Sequence, residues 1–128
     1  AGKIIIGECG GLMYLGKAII DNAGKNHSLA GIFNYSTSIQ AKKLTLGYRK
    51  LRMSTKVNPK CKVTVTGHEF HYSSLIKNKE TPNWTHATSN KKIQTTDGFR
   101  KSNCFAFYSH IYWGSNPAWM KFIISLVK

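Results

Sequence analysis

Carboxylates are scarce in this chain: five Asp and Glu stand against 19 Lys and Arg over 128 residues, a formal charge of +14 at neutral pH. Such an imbalance fits contact with nucleic acid, an anionic membrane surface or an anionic ligand. The lysines are spread along the chain, with pairs at Lys42-Lys43 and Lys91-Lys92 but no dense tract, and no segment resembles an RNP-type aromatic block. Charge alone therefore leaves a basic nucleic-acid-binding module as an alternative without a motif, and lysines alternating with Thr and Ser also suit a solvated surface. Cysteine is sparse as well. Three residues, at 9, 61 and 104, cannot all pair internally, and the opening AGKIII lacks the long apolar stretch and small-residue cleavage site of a secretory leader. A reduced, cytoplasmic setting is the expectation. No apolar run approaches the ~20 residues of a membrane-spanning helix, so no membrane partner is expected.

What is present suffices for a core: 41% of residues are hydrophobic and 12% aromatic, in a length near that of one domain. Neither an internal repeat nor a domain boundary is visible. The β-branched run KIII, ending at Gly7, predicts a buried strand; from Leu12 the apolar positions Met13, Leu15, Ala18, Ile19 and Ile20 predict a helix stopping in D-N-A-G at 21–24. Extended segments are expected at 29–33, 36–40 and 43–46, with a bend at Gly47. Alternation in C-K-V-T-V-T puts Cys61, Val63 and Val65 on one strand face. In the continuation, His68 and Phe70 share one face and Glu69 and His71 the other. Residues 77–92, polar and containing Pro82, read as a loop or insertion, and TDG at 96–98 as a hairpin turn. CFAFYSHIYW at 104–113 predicts an aromatic core strand. Finally, Asn116 caps and Pro117 opens a helix whose stripe is Trp119, Phe122, Ile123, Leu126 and Val127. The fold class that follows is α/β.

Cys9 stands in G-E-C-G-G, with Gly7 two residues before it and Gly11 two after. That is the spacing of a nucleophile elbow, in which small residues let a strand and a helix approach while the central side chain points out. At the helix N-terminus the backbone N–H groups favour a thiolate, and the Gly10 N–H is the natural donor to a developing oxyanion. The competing assignment is a small buried thiol. A nucleophilic cysteine needs a base, normally histidine. His27 and His86 lie in polar stretches and read as surface residues, leaving His68, His71 and His110; for His110, a buried core histidine bonded to backbone is the alternative. The order H-E-F-H at 68–71 is not H-E-x-x-H, and a strand turns its two histidines opposite ways, so no metal site is expected. Gly10-Gly11 likewise falls short of a phosphate-binding loop.

ECGGLMYLG at 8–16, LGYRK at 46–50, GHEFHYS at 67–73, TDG at 96–98 and YSHIYW at 108–113 occur in one order. In that order they resemble the C-terminal glutaminase domain of the cobyrinic acid a,c-diamide synthase family, a branch of the triad-type (class I) glutamine amidotransferases. The resemblance implies a flavodoxin-like three-layer sandwich, here partial, with a strand–elbow–helix at its start. It implies Cys9 as the nucleophile attacking the glutamine side-chain amide, His110 as the histidine that activates it, and Glu69, His71, His68 and Tyr72 beside the pocket. Where many class I relatives carry a glutamate two residues after the histidine, this chain has Tyr112, which implies a dyad. No cofactor is implied for this chain; ATP and Mg2+ belong to a synthetase domain that carries the corrinoid acceptor and uses the ammonia. The family's glutaminase domain also has strands and a G-G-Y-P-E-like turn before the elbow, whereas eight residues precede Cys9 here. The expectation is a chain inactive alone or dependent on a partner, with a non-catalytic fragment or assembly subunit as the alternative.

Overall fold

The computed structural model describes residues 2–53, 63–88 and 94–127. The chain opens with β1 (Ile5–Glu8), α1 (Gly10–Leu15), β2 (Ala18–Ile20), β3 (Asn26–Ser28), β4 (Ser36–Ser38) and β5 (Thr45–Met53). It continues through β6 (Thr64–His71), β7 (Ser74–Ile76), β8 (Trp84–Thr88), β9 (Gln94–Asp97) and β10 (Phe99–Lys101). Then come β11 (Cys104–Phe107), β12 (His110–Ile111), a 3-10 turn at Trp113–Ser115 and α2 (Pro117–Ser125).

These elements build three sheets, ordered β1-β11-β10, β12-β6-β5-β8-β9 and β3-β2-β4-β7. In the first, β1 and β11 run parallel, with Gly7 opposite Ala106 and Glu8 opposite Phe107. All of β11 is buried, because both faces of this sheet are covered, and its unbroken apolar run reflects that. Phe105 and Phe107 point into one core with Leu51, Val63, Val65, Trp84 and Trp119. Cys104, Ala106 and Tyr108 point into the other, with Leu12, Leu15, Phe33, Tyr35 and Phe99. The sheet thus forms a middle layer between α1 and the α2 side, and the α/β class and the strand–elbow–helix hold. Asn116 accepts the Ala118 N–H at 2.9 Å and Pro117 opens α2, as the sequence indicates. Trp119, Phe122 and Ile123 are buried, but Val127, beyond the end of the helix, is exposed.

Several expectations are corrected. The helix does not run to Ile20: α1 ends at Leu15 and Ala18–Ile20 is a strand parallel to β4. Short apolar runs are ambiguous between the two periods, and adjacent Ile19 and Ile20 favour extension. Gly16 marks the change, since a Cβ there would lie 2.6 Å from the Tyr35 ring, and the Tyr35 hydroxyl donates to the Leu12 carbonyl at 2.8 Å. Instead of a strand, 29–33 is a loop whose Ala30, Gly31 and Phe33 N–H groups donate to the carbonyls of Tyr14, Gly16 and Leu15. A six-residue helix leaves most of its carbonyls without internal donors, and this loop supplies them. D-N-A-G closes the β2–β3 hairpin, with Asp21 accepting the Ala23 and Lys25 N–H groups. His27, at 2.7 Å, and those backbone bonds hold the Asp21 carboxyl below its usual value.

Gly47 does not bend the chain out of its strand; β5 runs through it, opposite Glu69. The 77–92 segment is not loop throughout: Trp84–Thr88 forms β8, paired to β5, with Trp84 buried in the first core, while 89–92 lies outside the described residues. TDG is not a hairpin turn, because β9 pairs with β8 and β10 with β11, so Gly98 at φ +75° is a corner between two sheets. The 104–113 stretch divides likewise: β11 belongs to the first sheet and β12 to the second. Cys61 lies outside the described residues, whereas Val63 and Val65 are buried as their alternation predicts.

Candidate active site

Cys9 joins β1 to α1 at φ 51°, ψ −107°, a left-handed φ that costs a non-glycine residue of order 1–3 kcal/mol and persists only where the surroundings enforce it. Its N–H donates to the Phe107 carbonyl at 2.8 Å and its carbonyl accepts the Met13 N–H at 3.2 Å. Packing explains one of the neighbouring glycines. A Cβ on Gly7 would lie 2.6 Å from Leu15 Cδ1 and 2.7 Å from the Gly11 carbonyl carbon, whereas at Gly10 and Gly11 it would meet nothing within 4 Å. Gly7 permits the close strand–helix crossing; Gly10 and Gly11 leave the approach over the elbow open. The first-turn N–H groups of α1 have no partner within the helix, which suits them to an oxyanion. The thiol is half-buried, and its Sγ lies 3.8 Å from the Phe70 carbonyl on β6.

His110 reaches the same strand. It opens β12 opposite His68, and the two imidazoles stack with centroids 4.9 Å apart and planes 11° apart. β6 therefore gathers Cys9 and His110, although among the described residues the thiol makes no hydrogen bond to the histidine. Gly67 permits the approach of β12, since a Cβ there would collide with the His110 carbonyl oxygen and lie 3.1 Å from its carbon. Tyr48, Lys50, Thr66, His68 and Tyr112 line a largely apolar cleft of about 330 Å³ that reaches the site through His68, with neither Cys9 nor His110 in its lining.

The remaining sequence-named residues divide by strand face. His68 stacks on His110, and exposed Tyr72 sits edge-on to Phe70. Glu69 points the other way and is held by Arg49, whose Nε and Nη2 both donate to its Oε2, at 2.8 and 2.7 Å. His71 stacks on Tyr108 at 4.0 Å with its Nδ1 2.9 Å from the Ser73 carbonyl, leaving Nε2 buried without a partner among the described residues. Burial pushes the Tyr108 hydroxyl up to about 12, the bond with Ser73 opposing that shift. Among the described residues no three His, Cys, Asp or Glu side chains form a metal-binding group, and no helix is long and apolar enough to cross a membrane.

Sequence reasoning missed Gly67, Arg49, Glu8 and Asp97 as parts of the site. The available signal was the scarcity of acid, since each carboxylate among so few was worth placing. Burial also raises the Cys104 thiol above its usual value, and that residue is 7% exposed, so native Cys104 is inert. In a Cys61→Ser background, iodoacetamide is expected to alkylate Cys9 in the native chain and Cys104 only after denaturation. Peptide mapping checks this, and native labelling of Cys104 at a matching rate would contradict it.

A cysteine at positive φ between a strand and a helix, with a histidine brought to a shared strand, is an arrangement that cysteine-dependent hydrolases and transferases use. Residues 1–118 match the CobB/CobQ-like glutamine amidotransferase domain, and the chain belongs to that family. It is 33% identical over 124 residues, 91% of its length, to the cobyrinate a,c-diamide synthase of Syntrophotalea carbinolica. It is 40% identical over 119 residues, 90% of its length, to the synthase of the same name from Saccharolobus solfataricus. A hydrogenobyrinate a,c-diamide synthase from Mesorhizobium japonicum is 40% identical over 76 residues, 59% of this chain and 17% of that protein. The chain spans about a quarter of the first two relatives, 27% of each.

Proposed function

We propose that this chain is the glutaminase unit of a cobyrinate a,c-diamide synthase, freeing ammonia from glutamine through a Cys9 thioester. The observation that carries this reading is Cys9 held at positive φ on the β1–α1 elbow, with His110 brought to the same strand β6. The Cys9 thiolate attacks the side-chain amide carbon of glutamine, and the Gly10 N–H stabilises the oxyanion. His110 takes the thiol proton and delivers it to the departing nitrogen, so ammonia leaves and a glutamyl thioester remains. Water then cleaves the thioester to glutamate and restores the thiol. The ammonia serves an ATP- and Mg2+-dependent synthetase unit that activates corrinoid carboxylates. Support for that partner is the relatives' name, a,c-diamide synthase, and their greater length. His68 borders the cleft as a pocket residue, whereas Glu69, His71 and Tyr72 are not among its lining residues.

The test is trapping with a glutamine analogue whose side chain ends in a diazoketone, which alkylates the nucleophile with loss of N2. Mass spectrometry is expected to find one saturable adduct on Cys9, protected by glutamine and absent from Cys9→Ala. Glutamine hydrolysis that survives Cys9→Ala unchanged, or an adduct placed elsewhere, would overturn the reading.

A further inference from the structure

Three of the five carboxylates have local tasks: Asp21 closes a hairpin, Glu69 pairs with Arg49, and Glu80 accepts the Asn34 N–H. The other two converge on one segment. Asp97, 4% exposed, accepts the Tyr108 N–H on Oδ1 at 3.1 Å and the Ser109 N–H on Oδ2 at 3.0 Å, with Gly98 also donating to Oδ1 at 2.7 Å. Glu8, the residue before Cys9, accepts the Ile111 N–H on Oε1 at 3.1 Å. His110 is thus bracketed: both residues before it and the one after it are tied to carboxylates through their N–H groups.

Topology explains why carboxylates are needed there. At Tyr108 and Ser109 the chain leaves the β1-β11-β10 sheet to join β6, so their N–H groups have no ladder partner and would be costly to bury unpaired. Tyr112 donates to the Thr66 carbonyl of β6; by strand alternation the Ile111 N–H points away from β6, toward β1 and Glu8. Bonds from N–H to a carboxylate are stronger than neutral ones. Among the described residues no Lys, Arg or His pairs with Asp97, so the backbone N–H groups alone offset its burial.

We propose that Asp97 and Glu8 are positioning residues of the site: their carboxylates fix the backbone on both sides of His110 and so set where its imidazole stands relative to Cys9. Glu8 does this from the residue adjoining the nucleophile, coupling the elbow directly to the histidine strand. In this chain that backbone bracket orders the histidine where position 112 is a tyrosine. Neither carboxylate touches substrate.

The inference rests on Cys9 and His110 acting together in the proposed glutaminase, and its test separates the two. In the whole chain, the maximal rate of Cys9 labelling by the diazoketone analogue and its half-saturating concentration are measured for Asp97→Asn, Glu8→Ala, Glu8→Gln and His110→Ala. Asp97→Asn turns an N–H donor toward a backbone N–H, and Glu8→Ala removes the acceptor for Ile111. Both are expected to lower the maximal rate about 10- to 100-fold, the range for a misplaced catalytic group, with half-saturation changed less than twofold. Glu8→Ala and Glu8→Gln both remove the charge, so restoration of the rate by Gln, which keeps the acceptor, assigns the effect to the hydrogen bond. If His110→Ala loses labelling while Asp97→Asn and Glu8→Ala stay within threefold of wild type, the positioning role is overturned and the glutaminase reading stands. If His110→Ala labels normally, that reading fails and the inference with it. Should Asp97→Asn not fold cooperatively, the Glu8 pair decides alone.

Discussion

Gly67→Ala is expected to lower the maximal rate of Cys9 labelling by the glutamine analogue by 100-fold or more while leaving most of the fold in place. The added methyl would collide with the His110 carbonyl oxygen and stand 3.1 Å from its carbon and 3.2 Å from Ile111 Cα. These are backbone atoms, which cannot rotate aside, so relief must come from separating β12 from β6. That separation moves His110, its stack on His68 and the backbone anchored by Glu8 together. Overpacking of this kind costs about 1–3 kcal/mol, less than the stability of an ordinary domain, while a shift of about 1 Å in a reacting group can cost 100-fold in rate. Labelling kinetics beside a thermal melt check this. A near-wild-type rate with cooperative unfolding would show that the β6–β12 approach does not set the site.

Trp119→Ala carries the largest expected stability loss. The indole is fully buried and packs its ring against Trp84, Phe105, Phe107, Trp113 and Phe122, with centroids 5.4 to 6.2 Å apart. It is the point where α2 meets β8 and β11. Truncating a buried tryptophan costs about 3–5 kcal/mol, because the lost transfer energy adds to that of a cavity that collapses only in part. For a chain of this size that corresponds to a fall of roughly 10–20 °C in Tm, which calorimetry or far-ultraviolet circular dichroism would read. A fall of less than about 3 °C would mean that this aromatic cluster is not what binds α2 to the sheets.

The site was legible where its chemistry is local. G-E-C-G-G encodes a strand, a tight turn and a helix within a few residues, and Gly7 meets Leu15 and Gly11 as that spacing requires. Asn116-Pro117 encodes a helix start in the same way. Ala18, Ile19 and Ile20 misled because a three-residue apolar run fits either period, and the choice fell to β4, whose strand lies beside them. Trp84 sat unnoticed because a single tryptophan in a polar stretch leaves no pattern. His110 was found through its surrounding block, but the reason it is held there, Asp97 thirteen residues earlier and Glu8 at the far end of the chain, has no sequence period at all.

By itself the sequence determined that there is an elbow with a cysteine at its tip, an aromatic core strand and a capped final helix, since each depends on neighbours a few residues apart. Only the tertiary structure decided that the aromatic stretch breaks at Tyr108 and Ser109 to change sheets, that TDG is a corner rather than a hairpin, and that β6 gathers Cys9 and His110. Those outcomes depend on which distant strand supplies each unpaired N–H and carbonyl. Such pairing is a property of the assembled sheets, in which a buried polar group takes its partner from wherever the fold brings one.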